Sequence, residues 1–243
     1  MEARVEKKNK YNDHLILGKH ELLLDEKQRS YLFFEEEYLI KKYNEYLNEA
    51  SSETDMQYFF ETNPIVLPGL YDLHNGPLGN VIISKLQLSN EYETDFAFIS
   101  IDSATAQITL IEIESPTMQI FRNSDDLFTS AFNRALQQMR DWTLWVKQNS
   151  TYLKDLFRDI YFKNVFRHQS VRSRTILVAG RREHIQTNSR REKRWAGINQ
   201  ESLPNAIMSY DRLSEMLSVK PELLQELICR PTRYISQILR SRR

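Results

Sequence analysis

The chain has 243 residues, of which 41% are apolar and 27% charged, and its acidic and basic residues are equal in number. This length favours one domain with a sizeable core and an appendage. The lack of any long apolar run excludes a membrane-spanning segment, and the first residues do not resemble a signal peptide. The single cysteine, Cys229, excludes an internal disulfide framework and is typical of a reducing compartment, so a cytoplasmic protein is predicted.

Residues 1–50 are predicted to form an N-terminal appendage. Two short apolar runs at 14–17 and 21–24 could pair as strands. Apolar residues at three- and four-residue spacing predict a helix over 35–50. No pattern in this region points to chemistry, so packing or oligomer contact is the expected use.

A second helix is predicted to open the main domain, which we place at 51–217. Ser52 has the character of a helix cap, with Asp55 three positions later. The helix is expected to end near Asn63, because the proline that follows disfavours further helix. Glu53 and Glu61 lie on it, and either is most simply a solvated helix acid.

Three strands are predicted next, over 81–88, 93–101 and a third run that includes 110–114. Small polar residues at 102–105 suit a hairpin turn between the last two. If the turn is centred on residues 103 and 104, Ile101 pairs with Ala106, and Asp95 then lies directly opposite Glu112. Directly opposite residues share a face of the sheet. The sequence therefore predicts an antiparallel three-strand meander.

Acidic residues on these strands form the main candidate site. Glu112 and Glu114 alternate with isoleucines, so both project to one face, which Asp95 shares in the predicted register. Such a cluster is costly unless a charge compensates it, and magnesium or manganese with carboxylate ligands is the usual solution. The alternative is a solvated edge strand with two exposed glutamates.

An aspartate followed by Glu-x-Glu on the next strand resembles the core of PD-(D/E)XK nucleases, in which the last position is more often lysine. A longer ordered series resembles the Shedu family of anti-phage defence nucleases over roughly residues 53–217. The matching segments are 57–64, 95–96, 112–116 (Glu-Ile-Glu-Ser-Pro), 138–142 (Gln-Met-Arg-Asp-Trp), 176–181 and 209–213.

The resemblance implies an α/β (α+β) restriction-endonuclease-like core, a mixed sheet with an antiparallel meander flanked by helices. It also implies magnesium-dependent hydrolysis of phage or plasmid DNA by a homo-oligomer, with a tetramer as the expected form. Asp95 and Glu112 would hold one or two metal ions that activate a water and stabilise the phosphate charge. Glu114, in place of lysine, would orient or deprotonate that water or bind a second metal. Like charges this close also predict a raised carboxylate pKa without metal.

A long helix over about 127–147 carries a further candidate. Its apolar stripe, which includes Met139 and Trp142, predicts packing against the sheet. Gln138 lies at the edge of that stripe, and the family resemblance gives it a contact with a metal ligand or substrate. The resemblance also allows a glutamate of the first helix, Glu53 or Glu61, to approach the metal.

Basic residues concentrate in the second part of the chain. Residues 1–153 carry 14 Lys/Arg against 24 Asp/Glu, whereas residues 154–243 carry 19 against 9. After an apolar strand predicted at 173–180 come six basic residues near Trp195, which suit a phosphate backbone or, equally, a solvated loop: Arg181, Arg182, Arg190, Arg191, Lys193 and Arg194. A short strand at 206–210, a helix at 211–217 and a helical basic tail over 218–243 complete the prediction.

Two other classes of function fit the same sequence. One is a degenerate nuclease fold that binds nucleic acid or a partner without cutting, since a fold does not fix a function. The other is an assembly protein whose acidic strand and basic lobe join neighbouring subunits. The choice between DNA and RNA as target and the trigger of activation stay open.

Overall fold

The protein is a mixed α/β structure in which a six-stranded sheet is flanked by helices on both faces. The computed structural model describes residues 26–70, 76–161, 164–166, 169–201, 203–217, 228–232, 235 and 240. The strand order across the sheet is β5-β4-β3-β2-β1-β6. The strands are β1 (Val81–Gln87), β2 (Glu93–Ile101), β3 (Thr105–Ile113), β4 (Ser170–Val178), β5 (Ala206–Met208) and β6 (Ile228–Pro231).

The helices are α1 (Glu26–Glu49), α2 (Glu53–Thr62), α3 (Ser130–Gln148), α4 (Ser150–Tyr161), α5 (Arg182–Ile185), α6 (Ser189–Ile198) and α7 (Tyr210–Leu217), with short 3-10 turns at Pro64–Val66 and Leu78–Asn80. The helix predicted over 35–50 is thus confirmed and is longer at its start. The two strands predicted at 14–17 and 21–24 lie outside the described residues. No described helix is both long and apolar enough to cross a membrane.

Strands β1, β2 and β3 form the predicted antiparallel meander. The pairs Phe96–Ile111 and Ile101–Ala106 fix the register of β2 on β3, as predicted. The turn between them is stabilised by Asp102, whose Oδ1 accepts hydrogen bonds from the amides of Ala104 (2.7 Å) and Thr105 (2.5 Å). This local bonding is the reason that the turn, and with it the register, follows from the sequence.

The outer strands are parallel. Strand β4 runs parallel to β3 over its full length, and β5 is parallel to β4. Strand β6 pairs in parallel with β1. The helical prediction for the tail is therefore wrong at Ile228–Pro231. Short apolar segments fit helix and strand alike, and Pro231 ends an edge strand, where a missing N–H costs no ladder bond.

Two cores cover the two faces of the sheet. The first core lies on the face covered by α3 and α4, with Trp142 and Phe157 fully buried. The second core lies on the opposite face under α1, α2 and α7, where Tyr43, Phe60 and Tyr210 are fully buried. The C-terminal half of α1, part of the predicted appendage, therefore packs directly on the domain.

Local signals in α2 and α3 place their first turns. The Ser52 hydroxyl accepts a hydrogen bond from the Asp55 amide, and Asp55 accepts one from the Ser52 amide, which is the predicted capping box. At the start of α3, the Thr129 hydroxyl accepts a hydrogen bond from the Phe132 amide and caps the helix. These caps fix the start of α2, which carries Glu53, and of α3, which carries Gln138.

Candidate functional site

The predicted acidic residues meet at one end of the sheet, in a row that crosses three strands. The register of β2 on β3, carried one residue beyond the pair Phe96–Ile111, places Asp95 opposite Glu112. The register of β1 on β2 places Lys85 opposite Asp95, between the pairs on either side of it. Helix α3 approaches this row from one face of the sheet and the start of α2 from the other.

Asp95 is buried, with 4% of its surface exposed, and both of its carboxylate oxygens are engaged. Oδ2 accepts a hydrogen bond of 2.8 Å from the amide of Ile113. Oδ1 accepts a hydrogen bond from the ammonium group of Lys85, which forms an ion pair with it. The charge of Asp95 is thus compensated within the sheet, as a buried carboxylate requires.

Glu112 lies between Asp95 and helix α3. The side-chain amide of Gln138 donates a hydrogen bond of 2.8 Å to Oε1 of Glu112, one of the two acids predicted to hold a metal. Burial, the charge of Asp95, a hydrogen bond with Asp95 and the charge of Glu114 raise the pKa of Glu112 well above its ordinary value. Glu112 therefore binds a proton more tightly than an isolated glutamate does.

Glu114 follows β3 and is held mainly through its backbone. Its amide donates to the carbonyl of Val178 (2.9 Å), and its carbonyl accepts from the hydroxyl of Tyr210 (2.6 Å). The Tyr43 hydroxyl in turn donates to the carbonyl of Tyr210 (2.8 Å). Burial and the charges of Glu53 and Asp95 raise the pKa of the Glu114 carboxyl to about 7, in spite of a nearby arginine.

The two candidate acids of the first helix differ in position. Glu53 lies at the start of α2, and its Oε1 is 4.0 Å from the ammonium nitrogen of Lys85. Burial and the charge of Asp95 raise the pKa of Glu53, which places this carboxyl in the cluster. Glu61 is buried further along the helix and accepts a hydrogen bond of 3.1 Å from Gln57. Only Glu53 contributes to the electrostatics of the site.

Sequence reasoning missed Lys85, the cation of this cluster. Its backbone has a φ of +52°, in the left-handed region that is rare for a residue with a side chain. Apolar residues of the first core alternate along β1 at Val81 and Ile83, and then again at Leu86 and Leu88. This change of phase was the sequence signal that something interrupts the strand at Lys85.

Arg134 was also missed. It lies one helical turn before Gln138 on α3, so the two side chains leave the same face of the helix. Its positive charge lowers the pKa of Glu114 and so opposes the effect of burial. The signal was the four-residue spacing between Arg134 and Gln138, which could have been read once Gln138 was a candidate.

Two of the six predicted basic residues are engaged by helix α7. Arg181 donates to Asp211, with 2.9 Å between Nη2 and Oδ1. Arg182 pairs with Glu215 at 2.5 Å between Nη1 and Oε1. These ion pairs join the end of β4 to α7, so the two arginines stabilise the fold next to the acidic cluster.

The remaining four basic residues lie on α6 and divide into two pairs. Arg191 is buried and bonds Asp126 at 2.6 Å, and Arg194 donates to the carbonyls of Asp125 and Asp126. Both therefore attach α6 to the loop before α3. Arg190 and Lys193 are exposed, and within the described residues no hydrogen bond or ion pair engages their side chains. Arg190 and Lys193 are therefore the residues of this helix that are available to contact phosphates.

The donor chemistry of the acidic cluster fits a hard divalent cation, since carboxylate oxygens are the preferred ligands of Mg²⁺. Among the described residues, however, no three His, Cys, Asp or Glu side chains are arranged as a metal site. The Asp95 oxygens are instead bonded by Lys85 and the Ile113 amide. A cation bound to Asp95 would replace the Lys85 ammonium as the compensating charge.

Comparison with known proteins bears on the origin of this site. No curated protein shows a significant match to the chain. The family described as Shedu protein SduA, C-terminal, matches residues 50–214, which is more than half of the chain and includes every acid of the cluster. The chain therefore belongs to the Shedu family, and this membership implies a role in anti-phage defence.

Proposed function

We propose that this protein is a metal-dependent nuclease with a PD-(D/E)XK-like core that hydrolyses phosphodiester bonds of DNA in anti-phage defence. One observation carries the proposal: Asp95 and Glu112 stand opposite each other at the end of a meander, and Gln138 orients Glu112 from α3. Packed acids with raised pKa values, at the edge of a domain, are typical of a reactive site rather than of a structural one.

Asp95 and Glu112 would hold magnesium or manganese. A bound cation would supply Lewis acidity, which stabilises negative charge on the phosphate and acidifies water. Gln138 keeps the Glu112 carboxylate in one orientation through its hydrogen bond. Loss of such a supporting contact typically lowers metal affinity or activity by about 10- to 100-fold.

Glu114 is suited to hold and deprotonate a water molecule. Its pKa of about 7 leaves it partly ionised at neutral pH, the condition under which a carboxyl can both accept and return a proton. Its backbone is fixed by Val178 and Tyr210, so the carboxyl is presented from a rigid strand end. Binding a second cation is the alternative role for the same carboxylate.

The substrate is proposed to be phage or plasmid DNA. Arg190 and Lys193 offer exposed positive charge for its phosphates. A homo-oligomeric assembly, a tetramer by family resemblance, and a cytoplasmic location are part of the proposal. RNA is the substrate to test next if no form of DNA is cut.

The test is cleavage of linear and circular DNA with magnesium, manganese or EDTA. We expect metal-dependent cutting by the wild type, loss of cutting in Asp95→Asn, and a strong reduction in Glu114→Gln. Asp155→Asn, which changes an exposed acid paired with Arg158 on α4, is the matched control and should cut like the wild type. Cutting that survives Asp95→Asn would exclude this site.

A second candidate function, a nucleic-acid-binding module without catalysis, is favoured by one observation. The Lys85 ammonium already compensates Asp95 without any metal. Calorimetric titration with Mn²⁺ separates the two functions. An inert site takes up no metal, whereas a nuclease site binds it and loses that binding in Asp95→Asn.

A further inference from the structure

The acidic cluster brings several negative charges together, and a phosphodiester substrate would add another. Asp95 and Glu112 stand opposite each other on β2 and β3, and Glu114 follows Glu112 by two residues. The Glu53 carboxylate lies 4.0 Å from the Lys85 ammonium that Asp95 binds. A phosphodiester brings a further negative charge, which increases as the bond to the attacking oxygen forms. Catalysis at this site therefore needs positive charge at the phosphate, beyond the charge that holds the carboxylates together.

Lys85 is the cation placed to provide it. Its ammonium contacts Asp95 and lies 4.0 Å from the Glu53 carboxylate. The side chain is 37% exposed, whereas that of Asp95 is 6% exposed. One side of the ammonium therefore faces solvent, where a substrate can reach it.

The backbone of Lys85 has a strained, left-handed conformation, so placing its side chain here costs conformational energy. A left-handed conformation is strained in a residue with a side chain, and such residues concentrate at functional sites. Here the conformation lies inside β1, although the pairs Ser84–Phe96 and Leu86–Thr94 on either side keep one register. An ion pair with an ordinary strand residue would not need this distortion.

We propose that Lys85 is a catalytic residue, whose ammonium leaves Asp95 when a divalent cation binds and then contacts the scissile phosphate. The inference rests on the proposed nuclease function and deepens it. Lys85 and the metal compensate the same carboxylate in turn, so the lysine becomes available when the metal is in place. Within the described cluster, Lys85 is the one cation in contact with an acid.

This exchange predicts two effects of opposite sign when the ammonium is removed. Metal affinity should rise, or at least be kept, because the cation no longer competes with Lys85 for Asp95. Turnover should fall by about 100-fold or more, the usual effect of removing one group that stabilises charge in a transition state. A residue with a purely structural role would lower both quantities together with the melting temperature.

The experiment uses Lys85→Asn, Lys85→Arg and, as a control, Lys41→Asn. Asparagine tolerates the left-handed backbone, so the first variant removes the charge without adding strain. Arginine keeps the charge and should restore part of kcat. Lys41 is an exposed lysine of α1 whose one ion pair among the described residues is with Glu45, and its variant should behave like the wild type. The measurements are kcat and KM for DNA cleavage, Mn²⁺ affinity by calorimetry without DNA, and the melting temperature.

Lower kcat with kept or tighter Mn²⁺ binding in Lys85→Asn, and partial recovery in Lys85→Arg, would support the inference. Wild-type kcat in Lys85→Asn would overturn it while leaving the nuclease function intact. A joint loss of kcat, Mn²⁺ affinity and melting temperature would show a structural residue and would also overturn it. A wild type that cuts nothing with any metal would remove the proposed function and this inference with it.

Discussion

The hydrogen bond from Gln138 to Glu112 is a residue-scale feature with a direct test. In Gln138→Ala, Glu112 loses its partner on α3, and we expect cleavage activity or metal affinity to fall by about 10- to 100-fold. The neighbouring Gln137 is exposed, and in the described part of the chain its side chain bonds Asp141 on its own helix, so Gln137→Ala is the matched control. Equal activity in both variants would show that the hydrogen bond from Gln138 to Glu112 is not needed for cleavage.

Glu114 predicts a pH dependence of stability in the metal-free protein. Its pKa is raised from an ordinary 4.5 to about 7, so the folded state holds this proton more tightly than the unfolded state does. The folded state is therefore favoured below about pH 4.5, and this advantage is lost as the pH rises to 7. We expect the melting temperature in EDTA to fall over this range, and to fall less in Glu114→Gln.

Saturating magnesium is the control for this pH series. A bound cation compensates the carboxylates, so the dependence should flatten when the metal is present. Glu112 acts in the same direction, because its pKa is raised too. A Glu114→Gln variant whose melting curve follows that of the wild type at every pH would contradict the assignment.

At this scale the sequence predicted the acids better than their partners. Asp95 and Glu112 could be placed opposite each other because the short turn at 102–105 fixes the register. Lys85 could not be placed, since a left-handed residue inside a strand does not follow from propensity. Its contact with Asp95 also depends on which strand lies beside β2, which is a tertiary property.

Gly180, which follows β4, is an element-scale test. Its φ is +60°, and an added Cβ would lie 2.8 Å from the carbonyl oxygen of Met118. Gly180→Ala should therefore lower the free energy of unfolding by about 1–3 kcal/mol, through strain and a contact with backbone that cannot move easily. Denaturant titration measures this change.

Gly197 is the natural control for that titration. It lies in α6, and an added Cβ there would meet nothing within 4 Å. Gly197→Ala should be neutral or stabilising by up to about 1 kcal/mol, because alanine favours helix. A similar loss of stability in both variants would show that the turn after β4 has no special requirement.

Most elements of the domain were predictable because their signals are local. The caps of α2 and α3, the hairpin turn and the apolar end of β4 lie within a few residues of the elements they define. Strand β6 was missed because its identity depends on pairing with the distant β1. Helix α6 was missed because its run of basic residues is equally typical of a solvated loop. The contact of buried Arg191 with Asp126, which attaches the helix to the domain, joins residues 65 positions apart in the sequence.

At the scale of the whole molecule, a salt titration of DNA binding should separate the exposed basic residues of α6 from those bonded within the fold. Removing Arg190 or Lys193 should reduce the slope of log affinity against log salt by about 0.9 for each DNA phosphate that the variant no longer neutralises. Lys41→Ala, which changes an exposed lysine of α1, should leave the slope unchanged.

Arg191→Ala should give the opposite pattern. This side chain bonds Asp126, the carbonyl of Arg122 and the side chain of Asn123, so its loss should lower the melting temperature. The salt slope of the folded variant should stay that of the wild type. A reduced slope with an unchanged melting temperature would assign Arg191 to the DNA surface instead.

The pairing of β6 with β1 has a consequence for how the protein avoids aggregation. The family match ends at residue 214, yet among the described residues the outer side of the strand that carries Lys85 is covered only by Ile228–Pro231. Without those four residues β1 would become an edge, and a row of unpaired amides and carbonyls recruits strands from other chains. Strand β6 takes the edge position instead, and Pro231 at its end offers no N–H for pairing with a strand from another chain.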